Sequence, residues 1–318
     1  MKGYHPADPL ETPRFVGIST FLRLPYETRL EGVDVAAVGL PFDTAVSLRA
    51  GARFGPKAIR EGSLALRAGY NPAQRVSVFE RLSVVDYGDA AVVPGSSERS
   101  HERMQEALAK LHGADVLPLV FGGDHSVLLA ELRAAAQRHG PLALVDLDAH
   151  LDTWDAYFGE KYSHGTVMRR AAEEGLVDTA RSTLLGMRGG LYSARDYEEA
   201  RELGFVVVPW DELAQLGTGV VTAAVERAAG KAYLTFDIDF VDPAFAPGTG
   251  TPEVGGPSSM QALALLRACR GLDLAGADVV EVLPDLDHSH LTATLAATIA
   301  YEILTLMACN QPPGPGEA

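Results

Sequence analysis

The chain has 318 residues, 47% hydrophobic, 22% charged and 7% aromatic, a globular composition that excludes a disordered tail protein, a collagen-like fibre and a coiled coil. Its 27 basic and 42 acidic residues leave a formal charge of −15, which repels phosphate backbones and anionic lipid, so neither nucleic acid nor a membrane is an expected partner and small cations are favoured. Cys269 and Cys309 are the only cysteines, too few for a disulfide scaffold and read as two reduced thiols in a cytoplasmic protein.

From the N-terminus, Met1 to Arg14 is polar and proline-rich without an apolar h-region, so no signal peptide is read. Short apolar runs then alternate with longer amphipathic stretches. Strands are expected over Val33–Leu40, Leu82–Asp86, Val116–Phe121, Leu142–Leu147, Thr183–Met187, Phe205–Pro209, Tyr233–Ile238 and Asp278–Val282. Most are continuous rather than alternating, the pattern of strands buried on both faces. Helical spacing marks Gly55–Ala68, Glu98–Leu111, Val127–Arg138, Thr166–Glu174, Arg195–Leu203 and Pro257–Arg270. Leu291–Cys309 is the most apolar long segment, but Thr292, Thr294, Thr298, Glu302 and Thr305 mark it as a packed terminal helix rather than a membrane span. With no repeat or linker, one domain over residues 1–318 is expected, ordered from about residue 13 to 310 and frayed over 311–318. Alternating β and α elements predict a parallel sheet covered by helices. The pattern fits a closed (β/α)₈ barrel and an open doubly wound sheet equally well, and either places active-site residues at strand carboxyl ends.

Chemistry gathers at those ends. The third run leads into Gly122-Gly123-Asp124-His125-Ser126, the fourth into Asp146-Leu147-Asp148-Ala149-His150-Leu151-Asp152, the seventh into Asp237-Ile238-Asp239, and the eighth ends near Glu281. On extended backbone Asp148, His150 and Asp152 would share one side, as would Asp237 and Asp239. Four carboxylates and two imidazoles converging in an apolar pocket would repel and protonate unless cations neutralised them, and two divalent ions would cancel the four negative charges. Ligands of this kind without cysteine favour Mn²⁺, with Zn²⁺, Ni²⁺ or Co²⁺ as alternatives. Asp124 and Asp146 also read as helix caps or as partners that orient a ligand. His101, His112 and His139 read as surface or core residues, and no nucleotide-binding fingerprint is present.

These segments, with Ala246-Pro-Gly-Thr-Gly-Thr-Pro-Glu-Val-Gly-Gly256 and Arg49-Ala-Gly-Ala-Arg-Phe-Gly-Pro56, resemble the ureohydrolase (arginase/agmatinase) family from about Pro13 to the last helix. The resemblance implies a three-layer α/β/α fold around a doubly wound, mostly parallel eight-stranded sheet. It also implies two Mn²⁺ per subunit: Asp148 and Asp237 bridging, His125 and Asp152 completing one site, His150 and Asp239 the other. It further implies attack of a metal-bridging hydroxide on a guanidinium carbon, with Asp152 shuttling the proton, His164 as acid/base and Glu281 gripping the guanidinium, in a homotrimer or homohexamer.

The substrate is read from one loop. Thr153-Trp-Asp-Ala-Tyr-Phe-Gly-Glu-Lys-Tyr162 is aromatic and acidic, which suits the amine tail of agmatine, and the preferred reading is an agmatinase releasing putrescine and urea. The same aromatics can equally be core or interface residues. Leu48 within Ser47-Leu48-Arg49-Ala50 resembles guanidinobutyrase-like relatives instead. The competing reading is therefore a hydrolase of 4-guanidinobutanoate or 3-guanidinopropanoate, with Arg49, Arg188 or Lys161 meeting the carboxylate. A non-catalytic subunit is the third.

Overall fold

Each apolar run becomes a strand of one sheet in the computed structural model, which describes residues 3–314. The strands are β1 (Val35–Gly39), β2 (Val84–Asp89), β3 (Leu117–Phe121), β4 (Ala143–Leu147), β5 (Thr183–Leu185), β6 (Val206–Val208), β7 (Lys231–Phe236) and β8 (Asp273–Val279). Their order is β2-β1-β3-β8-β7-β4-β5-β6, and neighbouring strands all pair in parallel. The open sheet replaces the barrel alternative. In register, Val38 faces Val120, Val120 faces Asp278, and Asp146 faces Thr235.

Helices cover both faces. They are α1 (Gly55–Ser63), α2 (Val78–Arg81), α3 (Ser97–Gly113), α4 (Leu128–His139), α5 (Val167–Glu173), α6 (Asp196–Glu202), α7 (Trp210–Leu216), α8 (Thr218–Arg227), α9 (Ser259–Arg267) and α10 (Leu291–Cys309). Ile59, Phe79, Leu213, Val221, Leu266 and Ile299 place α1, α2 and α7 to α10 on one apolar layer. Met104, Leu132, Met168 and Ala200 place α3 to α6 on the other. The α10 helix is long and apolar enough to cross a membrane, yet it is buried against the sheet and its neighbours. Gly62 of α1 allows that packing, because a Cβ there would sit 2.7 Å from the carbonyl oxygen of Ala293.

Three differences from expectation have local causes. The β8 strand begins five residues early, because Asp273-Leu-Ala-Gly-Ala carries no β-branched residue to mark it. Helix α1 stops at Ser63 rather than Ala68, where the chain turns. The α2, α7 and α8 helices were not foreseen; the last two are separated by Gly217 at φ 64°. Of the tail expected to fray, residues 315–318 lie outside the described residues, while Gly314 is buried.

Candidate active site and metal centre

The central neighbours β3, β8, β7 and β4 all end at one rim. After β3 the chain passes under Phe42 at Gly123, where a Cβ would lie 1.7 Å from the Phe42 carbonyl oxygen. It then enters a 3₁₀ turn, His125–Val127, capped by Asp124, which accepts from the Ser126 amide at 3.0 Å and from the Ala45 amide at 2.9 Å. Asp124 thus has the capping role. After β7, Asp237 caps a second 3₁₀ turn by accepting from the Asp239 amide at 2.8 Å. Asp152 and Glu281 both adopt left-handed backbone, φ 51° and 63°, a conformation costly for residues with a side chain and frequent at functional sites. Turns and left-handed residues, rather than the extended backbone expected, therefore aim these carboxylates.

All six expected ligand residues meet. His125 Nδ1 lies 3.1 Å from Asp148 Oδ2, 3.1 Å from Asp152 Oδ2 and 3.5 Å from Asp237 Oδ2. His150 Nδ1 lies 3.0 Å from Asp239 Oδ2 and 3.5 Å from Asp148 Oδ1. The two imidazoles thus face opposite oxygens of one carboxylate. Ligand-type atoms of Asp148, His150 and Asp239 fall within 4.8 Å of one another, as do those of His125, Asp146 and Asp148. Asp146 is no cap: it stands on β4, and both its oxygens are buried without a hydrogen-bond partner among the described residues.

The hydrogen-bond network fixes how His125 presents itself. Thr235 donates its hydroxyl to Asp278 at 2.7 Å, so it can only accept from His125 Nε2, 2.9 Å away. That bond turns Nδ1 toward the carboxylates, the way an orienting partner prepares a ligand histidine. Among the described residues, His125 Nδ1 and Asp148 Oδ2 are both buried without a hydrogen-bond partner, the condition of atoms that suit a cation.

Electrostatics agree. Burial and the charges of Asp239 and Asp148 push Asp237 well above the ordinary carboxylate range, and burial raises Asp239 and Asp152 too. Against its own burial, Asp148 is held low by the two imidazoles beside it. Against theirs, His125 and His150 are lifted well above 6.5 by the surrounding carboxylates. Without cations the cluster retains protons, and divalent ions would replace them.

Beside the cluster, His164 Nδ1 donates to Glu281 Oε1 at 3.0 Å, and its Nε2 meets the Ser47 hydroxyl at 2.7 Å. Burial opposes the charge on His164, but Glu281 more than compensates and raises it to about 9. Glu281 Oε1 also accepts the His125 amide at 2.9 Å. A cavity of about 310 Å³ opens from these residues and is walled by Leu48, Arg49, Trp154, Tyr157, Tyr192 and Glu253, among others. Trp154, Tyr157 and Tyr192 pack edge to face, with centroids 5.4–5.9 Å apart, so part of the aromatic loop lines the pocket. Phe158, at 85% exposure, is not part of that wall. Of the three candidate cations only Arg49 lines this pocket, and among the described residues it has no acidic partner. Arg188 is occupied by backbone carbonyls, and Lys161 lies outside the wall.

Sequence reasoning missed Ser47, Thr235, Asp278, Tyr192 and Glu253. Only Thr235 carried a usable signal, standing two residues before Asp237 on the same strand face.

Comparison with known proteins places this geometry. Residues 33–306 match the arginase family model. A guanidinopropionase of Pseudomonas aeruginosa is 46% identical over 306 residues, 95% of this chain and 96% of that one. A mitochondrial agmatinase of Gallus gallus is 43% identical over 296 residues, 92% and 87% of the two chains. The solved structure of proclavaminate amidinohydrolase from Streptomyces clavuligerus superimposes with a TM-score of 0.89 at 42% identity, covering 94% of this chain and 99% of that one. A parallel eight-stranded sheet, the gathered Asp and His side chains and these likenesses over nearly the whole chain give one conclusion: the chain belongs to the arginase family and is an amidinohydrolase.

Proposed function

We propose that the chain hydrolyses the guanidinium group of a short guanidino acid, 3-guanidinopropanoate or 4-guanidinobutanoate, to urea and the amino acid, using two manganese ions. The observation that carries the two-ion reading is Asp148, whose Oδ2 faces His125 and Oδ1 faces His150. Asp148 and Asp237 would bridge, His125 and Asp152 would complete one position, and His150 and Asp239 the other. Imidazole and carboxylate donors without thiolate suit manganese. When bound, the ions supply the Lewis acidity that makes hydroxide available near neutral pH.

The chain's own residues handle the rest. Glu281 pairs with the guanidinium in a charge-assisted hydrogen bond. Asp152 takes the proton released as oxygen bonds to the guanidinium carbon. His164, charged up to about pH 9, passes a proton to the nitrogen whose C–N bond breaks, and the amine departs.

Arg49 supports a carboxylate on the substrate's far end, which moves the preferred substrate away from agmatine. Agmatine remains the second reading because Glu253, on the same wall, would suit an amine. The complete donor set opposes a non-catalytic subunit. Urea release by manganese-loaded protein, as kcat/KM across both guanidino acids, agmatine and arginine, tests the choice. A guanidino acid is expected to lead, and Arg49→Gln to cost it about tenfold while sparing agmatine, a discounted share of the 1.5–3 kcal/mol of a charged hydrogen bond because Arg49 is exposed. Agmatine leading, untouched by Arg49→Gln, would overturn the proposal. The same reading has the chain acting in the cytoplasm as a homotrimer or homohexamer, which light scattering would test.

A further inference from the structure

Arg188 is a candidate cation that lies off the pocket wall, and its placement gives it a different task. It follows β5, and its main-chain amide donates to the carbonyl of Ala149, the residue between Asp148 and His150, at 3.0 Å. Its guanidinium then reaches three further carbonyls: Nη1 to Phe240 at 2.9 Å, and Nη2 to Asp239 at 2.8 Å and to Glu253 at 2.7 Å. One side chain therefore ties the 3₁₀ turn that carries Asp239 to the 246–256 loop, while its backbone holds the segment that carries His150. Glu253 is thereby held with Oε1 4.0 Å from His150 Nε2. Space for this fork is reserved at Gly256, where a Cβ would lie 2.5 Å from the guanidinium carbon.

The other half of the cluster is supported separately. His125 is held by Thr235 at Nε2 and by Glu281 at its amide, and no hydrogen bond links Arg188 to His125, Asp152, Thr235 or Glu281 among the described residues. The Arg188 fork ends on backbone oxygens rather than on ligand atoms, so it acts on where Asp239 and His150 stand. A planar guanidinium suits this because it presents several donors in fixed directions, which a lysine ammonium cannot reproduce.

We propose that Arg188 is a positioning residue that selectively sets occupancy of the His150/Asp239 metal position, leaving the His125/Asp152 position independent of it. The inference rests on the two-ion reading above. Partners that orient metal ligands are worth about 10–100-fold in metal affinity, and here that loss should fall on one ion of the pair.

The test titrates Mn²⁺ into metal-free protein, following free Mn²⁺ by electron paramagnetic resonance and bound metal by elemental analysis after desalting. Wild type is expected to take up two ions with the spectrum of a spin-coupled pair. Arg188→Met is expected to retain the first ion at wild-type affinity, to bind the second about 10–100-fold more weakly, and to show an isolated-ion spectrum at one equivalent. Gly256→Ala supplies a second route if Arg188→Met does not fold, since its methyl displaces the guanidinium without touching a ligand; the same selective loss is expected. Thr235→Val should instead weaken the His125/Asp152 position. Arg188 and Gly256 variants that bind both ions as wild type does, or that fold and lose both ions equally, would overturn the proposal. Wild-type protein that binds fewer than two ions would overturn the two-ion reading and the proposal with it.

Discussion

Replacing Glu281 by glutamine probes the link between His164, the proposed acid/base, and Glu281, the proposed guanidinium partner. The carboxylate is 1% exposed, accepts from the His125 amide at 2.9 Å and faces His164 Nδ1 at 3.0 Å. An amide oxygen can keep the backbone bond, so the fold should survive, but the charge disappears. Truncating one side of a buried, hydrogen-bonded charge pair costs about 2–5 kcal/mol, which corresponds to about 30- to several-thousand-fold in kcat/KM at 1.36 kcal/mol per decade. A second effect is diagnostic. Burial alone lowers an imidazole, and His164 stands at about 9 because Glu281 outweighs that burial. In wild type, kcat/KM should fall as pH rises through about 9, when His164 loses the proton it must deliver. In Glu281→Gln that limb should move well below 9, because only Asp152 and Asp124 are left to oppose the burial of His164. Urea release measured from pH 5.5 to 10 on both proteins decides the matter. A variant that keeps the limb near 9, or a near-wild-type rate, would refute the coupling of Glu281 to His164.

Other perturbations should read out elsewhere. Arg60 is buried on Asp86 and Asp89, with contacts of 2.8 and 2.6 Å. Arg60→Met leaves Asp86, 1% exposed, without its cation and should cost about 3–5 kcal/mol in urea unfolding, while activity per folded molecule is unchanged. Gly123→Ala drives a methyl into the Phe42 backbone, which cannot yield as a flexible side chain would. Overpacking of this kind costs about 1–3 kcal/mol or more, and circular dichroism melts should show it together with loss of metal binding. His164 is raised from 6.5 to about 9 in the folded state, so its stabilising contribution is complete below pH 6.5 and is lost as pH rises through about 9. The shift corresponds to about 3 kcal/mol, and metal-free wild type should lose about that much more stability over this window than His164→Asn does.

Much of this was legible in the residues. Continuous apolar runs identified seven strands closely, because both-face burial leaves such segments. Strand order was not legible: periodicity says that β3 and β8 exist, not that they are neighbours, and the choice of open sheet came from family resemblance. The six proposed ligand residues stood out because acids and histidines are costly at the ends of buried strands unless something binds them. Their supports did not. Ser47 and Thr235 belong to residue types common in every loop and strand, and in sequence Arg188 is one of three candidate cations, with nothing to show that its guanidinium ends on the carbonyls of Asp239, Phe240 and Glu253. Spacing also misled about mechanism of placement. An i, i+2, i+4 pattern suggested extended backbone, whereas Asp239 sits in a 3₁₀ turn and Asp152 at positive φ.

The central claim is that Asp148 is shared between two metal positions that together drive urea formation. Titrating manganese into the metal-free protein while recording urea release from 3-guanidinopropanoate and 4-guanidinobutanoate tests it most directly. The account predicts little urea at one equivalent, activity that saturates at two ions per chain, and none from folded His125→Ala or Asp237→Ala at any metal level. Full activity without added metal, saturation at a single ion, or folded ligand variants that keep wild-type rates would contradict it.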